Sequence, residues 1–272
     1  MSWSAVWDAP RPYLHPVRTP AGALLTVEAP ADHPWHHALW FAIKLVNGEN
    51  FWEEYGEYGT LQAREVVDLP DGGTRATIDW IRPDGAAVAL TETRTLTPRT
   101  FGALGADAGS DGYAIEWGEE LVPVVDTVLD RTPFTTWGGY GGLTLRGSPH
   151  WHDTQLLLAD GTRHDRLLGE RAAWCALSGL ATGADGAERE CGVVIVDHPD
   201  NPRFPTPWYG SNRADTYGEG WANFLNAAFL WDEPLEVTAG SALRLRQLVV
   251  VHDGAMTVDR IEQIAAAWIA AS

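Results

Sequence analysis

Seven short turn signals punctuate this chain. Asp-Gly occurs at 71–72, 84–85, 111–112, 160–161, 185–186 and 253–254, and Asn47-Gly48 adds a seventh. Such pairs tolerate the positive φ angles of tight hairpins, so they predict a molecule built from antiparallel strands. The segments between them agree. Ala76, Ile78 and Trp80 alternate with Arg75, Thr77 and Asp79, and Tyr113, Ile115 and Trp117 alternate with Ala114 and Glu116. Period-2 alternation marks strands with one buried face. From Thr91 to Thr97 both faces are polar, Glu92 and Arg94 on one and threonines on the other, which reads as an exposed strand. Val193–Val196 and Leu248–Val251 are continuous apolar runs, as expected of strands buried on both faces. Only residues 257–270 read as a helix, with Val258, Ile261, Ile264, Ala265 and Trp268 as its apolar stripe and Thr257 or Asp259 at its start. No internal repeat and no Ser/Gly-rich linker divides the chain. The expected architecture is all-β: one antiparallel β-sandwich over residues 1–272, with long loops and one C-terminal helix.

Charge narrows the choice of partners. Nineteen basic residues against 37 acidic ones give a formal charge of −18. Nucleic acids and anionic lipids both require clustered Lys and Arg, so neither is expected as a partner. No stretch of 18 apolar residues is present to span a membrane. The first twelve residues lack a basic segment followed by an apolar core, so no signal peptide is read there and a cytoplasmic location is expected. Cys175 and Cys191 have no CxxC spacing and read as buried free thiols. Fourteen tryptophans, against seven Tyr and seven Phe, suit stacking on sugar rings as well as cores.

Polar chemistry gathers in three places. Asp32-His33-Pro34-Trp35-His36-His37 packs three histidines and an acid into six residues, and strand alternation would turn His37 away from His36. Phe51-Trp52-Glu53-Glu54-Tyr55 follows, aromatics beside paired acids. Asp197-His198 emerges at the end of an apolar strand, and a proline-rich loop carries Arg203 on to Trp208 and Tyr209. A separate glycine–aromatic group, Trp137-Gly138-Gly139-Tyr140-Gly141-Gly142, lacks the Lys-Ser/Thr of a phosphate-binding loop and alternates rings with close-approach glycines. No GxSxG, Ser-x-x-Lys or paired-Cys motif supports acyl-serine or cysteine chemistry.

These residues resemble a bacterial family labelled methane oxygenase PmoA. The likeness rests on Arg11-Pro12-Tyr13-Leu14-His15-Pro16, Asp32-His33-Pro34 with His36-His37, Asn47-Gly48 with Phe51-Trp52, the Gly179 region, Asp197-His198-Pro199 through Trp208, and the closing segment Leu243-Arg244-Leu245 to Gly254. The label itself does not transfer, because a methane monooxygenase subunit is membrane-embedded and nothing here spans a membrane. What the resemblance implies is a β-sandwich similar to the galactose-mutarotase supersandwich. It also implies a place beside sugar-oxidising dehydrogenases and sugar transporters, hence sugar catabolism.

The expected function is a carbohydrate-active enzyme of epimerase, lyase or hydrolase type, doing acid–base chemistry on a sugar or keto-glycoside. His36, His37, His198 and Glu54 are the expected catalytic groups. His33, Trp35, Trp52, Trp137, Tyr140, Asp197, Arg203, Trp208 and Tyr209 are the expected substrate-binding ones. The alternative is a non-catalytic sugar-binding or scaffold protein. No cofactor is expected, and metal-independent chemistry is the default. A divalent metal is the variant, drawing on His33, His36, His37 and the 197–203 loop or on His150 and His152. The sequence leaves homo-oligomerisation open.

Overall fold

In the computed structural model, which describes residues 2–105, 111–132, 139–213 and 222–271, the alternating segments form three open antiparallel sheets. The first has seven strands in the order Trp3–Val6 (β1), Tyr13–Val17 (β2), Leu39–Ala42 (β3), Gly142–Arg146 (β11), Phe224–Ala227 (β18), Pro207–Ser211 (β17) and Arg166–Arg171 (β14). The second has four: Leu235–Val237 (β19), Thr127–Asp130 (β10), Leu45–Val46 (β4) and Glu49–Asn50 (β5). The third has nine. It begins with Arg163–His164 (β13), His152–Leu158 (β12), Trp174–Thr182 (β15) and Glu188–Asp197 (β16). It continues through Leu243–Asp253 (β20), Gly112–Pro123 (β9), Val88–Thr100 (β8), Thr74–Ile81 (β7) and Thr60–Asp68 (β6).

The main core lies between the seven- and nine-stranded sheets, where Leu39, Phe41 and Leu143 meet Ile78, Trp80, Ile115 and Trp117. The two continuous apolar runs are explained by a second layer of packing. Val193, Ile195, Val249 and Val251 face this core. Their neighbours Val194, Val196, Leu248 and Val250 face the other way, onto the C-terminal helix Val258–Ala270 (α1). The helix buries Ile261, Ile264, Ala265 and Trp268, and the Thr257 hydroxyl caps it by accepting from the Arg260 N–H. Among the described residues no helix is long and apolar enough to cross a membrane.

Two expectations require correction. The 91–97 segment is not exposed: Glu92 and Arg94 are 0% and 1% accessible, facing the core from β8. Arg94 Nε donates to Glu92 at 2.6 Å, the Trp80 and Trp117 indoles donate to Glu92 and Glu119, and Arg94 Nη1 donates to the Pro12 carbonyl. Alternation separates two faces of a strand but does not say which is inward when both are polar. Burial, and then the neighbouring Glu92, push the Glu119 carboxyl well above the usual carboxylate range. The second correction concerns two of the Asp-Gly pairs, which make no hairpin: Asp253-Gly254 leads from β20 to α1, and Asp111-Gly112 runs into a strand. Gly112 opens β9, and any side chain there would collide with the Phe101 ring. Asn47-Gly48, by contrast, turns between β4 and β5 with both residues at positive φ, 50° and 81°.

Candidate functional site

The outer face of the seven-stranded sheet, away from the core, is aromatic. Register places Tyr13, Trp40, Thr144, Asn226 and Tyr209 in one row across five strands. Over this row the loops after β2 and β5 close a pocket of about 140 Å³, lined by His33, Trp35, His36, Trp52, Glu53, Tyr140, Tyr209 and Phe224. Its walls are interlocked rings: Trp52 against Tyr140 at 4.9 Å, Tyr209 against Phe224 at 5.4 Å and Trp35 edge-on to His33 at 5.2 Å.

Two polar groups enter this aromatic frame. On one side His33 Nδ1 lies 2.8 Å from Asp32 Oδ2, and since a carboxylate only accepts, Nδ1 carries the hydrogen. Arg146 from β11 donates through Nη2 to both Asp32 oxygens, at 3.1 and 2.9 Å. The His36 ring stacks on His33 at 4.6 Å, and its Nδ1 lies 3.4 Å from Arg146 Nη1. A guanidinium can only donate, so His36 Nδ1 accepts and Nε2 holds its hydrogen. Burial first, then His33 and Arg146, drive the His36 pKa well below the ordinary value, which keeps the ring neutral.

On the other side Glu53 accepts from the Tyr140 hydroxyl at 3.1 Å and contacts Lys44 Nζ. Asn50 sets the loop, its Oδ1 accepting from the backbone N–H groups of Trp52 and Glu53 at 2.9 and 3.1 Å. Adjacent residues thus enter one pocket, as no strand would allow. Burial pulls the Lys44 ammonium down to about 8, with Arg11 adding to the effect. Burial also pushes the Tyr140 phenol up to about 12, so it remains a donor.

The remaining sequence candidates fall elsewhere. His37 turns away from His36: Nε2 donates to Glu54 Oε1 at 2.6 Å and the ring stacks on Tyr13 at 5.3 Å. Glu54 also accepts from Arg11 at 2.6 Å. Burial raises the Glu54 carboxyl, but bonding and charge from His37 and Arg11 outweigh it, and the net shift is downward. His198 sits across the sandwich, edge-on to Trp268 of α1 at 5.2 Å. Asp197 is buried beside it, accepting from Asn201 and Gln247. Arg203 donates to the carbonyls of Phe229, Glu233 and Pro234, which ties down the proline-rich loop. Trp208 is fully buried in the core, its indole donating to the Ala172 carbonyl. Trp137 lies outside the described residues. His152 bonds Glu188 from β12, while His150 lines a separate surface hollow. Among the described residues no three His, Cys, Asp or Glu side chains group as metal ligands.

Phe224 lines the pocket, and Lys44 and Arg146 back its polar groups, without having been singled out; Asp32 and Glu53 had been named only as acids of their segments. Lys44 left a signal, as the one charge in the apolar run 38–46. Arg146 closing Leu143–Arg146 left a weaker one.

A model of a family described as being of unknown function (DUF6807) matches residues 2–266, and the chain belongs to that family. No curated protein matches it. The resemblance to the family labelled PmoA is therefore corrected, since nothing in the family match links this chain to a methane oxygenase.

Proposed function

We propose that this member of a family of unknown function is a carbohydrate-active enzyme that performs acid–base chemistry on a single sugar or keto-sugar ring. The observation that carries the reading is an aromatic-walled pocket of about 140 Å³ lined by a carboxylate-held imidazole, His33, and by the hydrogen-bonded pair Tyr140 and Glu53, the latter backed by Lys44. Clefts for drug-sized ligands run to roughly 300–1,000 Å³, so this one suits one ring rather than an oligosaccharide. Aromatic faces stack on sugar C–H surfaces while the polar ends bind hydroxyls.

His33 is the base in this scheme. With Nδ1 held by Asp32, proton exchange falls to Nε2, which removes a proton beside a carbonyl or hemiacetal carbon. Asp32, itself braced by Arg146, stabilises the imidazolium that forms. Neutral His36 supplies, through its Nε2–H, the donor for the oxygen on which charge develops, while Glu53, held by the Tyr140 hydroxyl, accepts from a sugar hydroxyl. The substrate is a small-molecule carbohydrate, and a cytoplasmic location is proposed with it, both cysteines being free thiols.

The test is incubation with a panel of aldoses, ketoses and keto-glycosides in D2O, followed by NMR. Expected is substrate C–H exchange or product formation, lowered at least 100-fold in His33→Asn with its melting temperature preserved, and unchanged in His198→Ala. Binding without exchange or product would replace this reading with that of a sugar-binding protein. Full turnover by His33→Asn would remove His33 as base.

A further inference from the structure

We propose that the outer face of the nine-stranded sheet holds a second ligand site, for a hydroxylated small molecule bearing one carboxylate or phosphate group. The site centres on Gly118, in the interior of β9. Register sets Thr95 of β8 on one side of it and Arg246 of β20 on the other. A glycine inside a strand weakens it and as a rule marks a bulge, a tight packing contact or the close approach of a ligand. The pairing of β9 is regular through 118, and an added Cβ would meet nothing nearer than the Thr95 carbonyl oxygen at 3.9 Å. Neither a bulge nor packing accounts for this glycine, and the strand is open there to the close approach of a ligand. Gly118 lies on the wall of an open hollow of about 370 Å³.

The hollow is lined with matching chemistry. Thr93, Thr95 and Thr97 present hydroxyl-bearing side chains along β8, one every second residue. Three arginines, Arg99, Arg244 and Arg246, face two carboxylates, Glu116 and Glu120, on the same wall. Arg244 pairs with Glu120 at 2.7 Å. Glu116 serves two guanidinium groups at once, Arg99 at 2.8 Å and Arg246 at 3.2 Å. Glu119 also borders the hollow, but its carboxyl turns inward to the Trp117 indole and burial holds it well above the usual carboxylate range, so three arginines face two ionised acids, Glu116 and Glu120, on a chain of net charge −18.

Arg246 is held from several directions. Asn201 brackets its backbone, accepting from the N–H at 2.8 Å and donating to the carbonyl at 2.7 Å. Its guanidinium lies over Trp268 at 5.8 Å, with Nη1 3.3 Å from His198 Nε2. The Asp197–Asn201 segment, unused by the aromatic pocket, thus positions this arginine. A fixed planar fork whose one carboxylate partner, Glu116, is shared with Arg99 suits an oxyanion, and the threonines suit the hydroxyls beside it.

The test uses full-length protein with 13C-methyl-labelled threonine, titrated by NMR with gluconate, glucose 6-phosphate, inorganic phosphate and glucose. Expected are saturable shifts at Thr93, Thr95 and Thr97 with gluconate or glucose 6-phosphate, and weaker or absent ones with glucose and with phosphate alone. Whichever of the two saturates identifies the oxyanion. Gly118→Val projects a side chain into the hollow from a residue that suits a strand better, and should raise Kd at least 10-fold while keeping the melting temperature. Arg246→Gln should do the same. The proposal is overturned if neither anion shifts these methyls, if glucose binds equally well, or if both variants bind as the wild type does.

Discussion

Arg94 answers two buried carboxylates, Glu92 and Glu119, and a proton on Glu119 makes up the difference. Glu119→Gln copies the protonated acid and keeps an acceptor for the Trp117 indole. A group whose folded pKa is raised contributes fully below its unfolded value and loses that contribution as pH climbs towards the folded one. Glu119→Gln should therefore match the wild type near pH 4 and exceed it increasingly towards pH 9 in urea unfolding. Removing the cation instead, as in Arg94→Leu, should cost about 3–5 kcal/mol at neutral pH. Asp197 follows the same sign in a narrower window. Burial raises its carboxyl to about 7 against opposing bonds from Asn201 and Gln247. Wild-type stability should fall from about pH 4 to about pH 7 relative to Asp197→Asn, by at most about 4 kcal/mol. An unchanged gap between the two proteins across that range would show that Asp197 stays ionised.

At the scale of elements, α1 completes the outer side of β16 and β20, and its contribution divides cleanly. Trp268→Ala should cost about 3–5 kcal/mol through lost burial, and Thr257→Ala about 1 kcal/mol through the lost cap. Chemical denaturation midpoints at constant slope read both. This helix was legible beforehand because its stripe and cap are local, as were β16 and β20, whose valines and leucines leave no polar face. The orientation of β8 was not legible. Its partners Trp80 and Trp117 lie on other strands, and only pairing shows that Glu92 and Arg94 meet them. The candidate pocket was half legible. His33, Trp35, His36 and Trp52 come from two dense segments, and Pro34 and Asn50 bend those segments so that residues of opposite parity enter together. What no local pattern carries is the side of the sandwich on which a loop ends, and so His198 was grouped with residues on the far face, while Arg203 proved to be spent on backbone carbonyls.

Over the whole molecule, Cys175 and Cys191 lie in the same core, both fully buried, and burial raises both thiols, Cys191 to about 12. Ellman's reagent should find no reactive thiol in the native protein and two after denaturation. Fast reaction of either one under native conditions would mean that the sheets part locally. The strand order has a consequence for synthesis. β20 is the fifth of nine strands, yet it is the last of them in the chain. Until it leaves the ribosome, the nine-stranded sheet exists only as two four-stranded halves, one ending at β9 and the other at β16. Each exposes a row of unpaired amides and carbonyls, an invitation to pair with other chains. At ~5–20 residues per second, the β9 edge waits on the order of ten seconds for its partner. The keystone of the larger sheet is thus delivered after the walls it joins, and it is in that interval, rather than in the finished protein, that the chain is most exposed to misassembly and most in need of a chaperone.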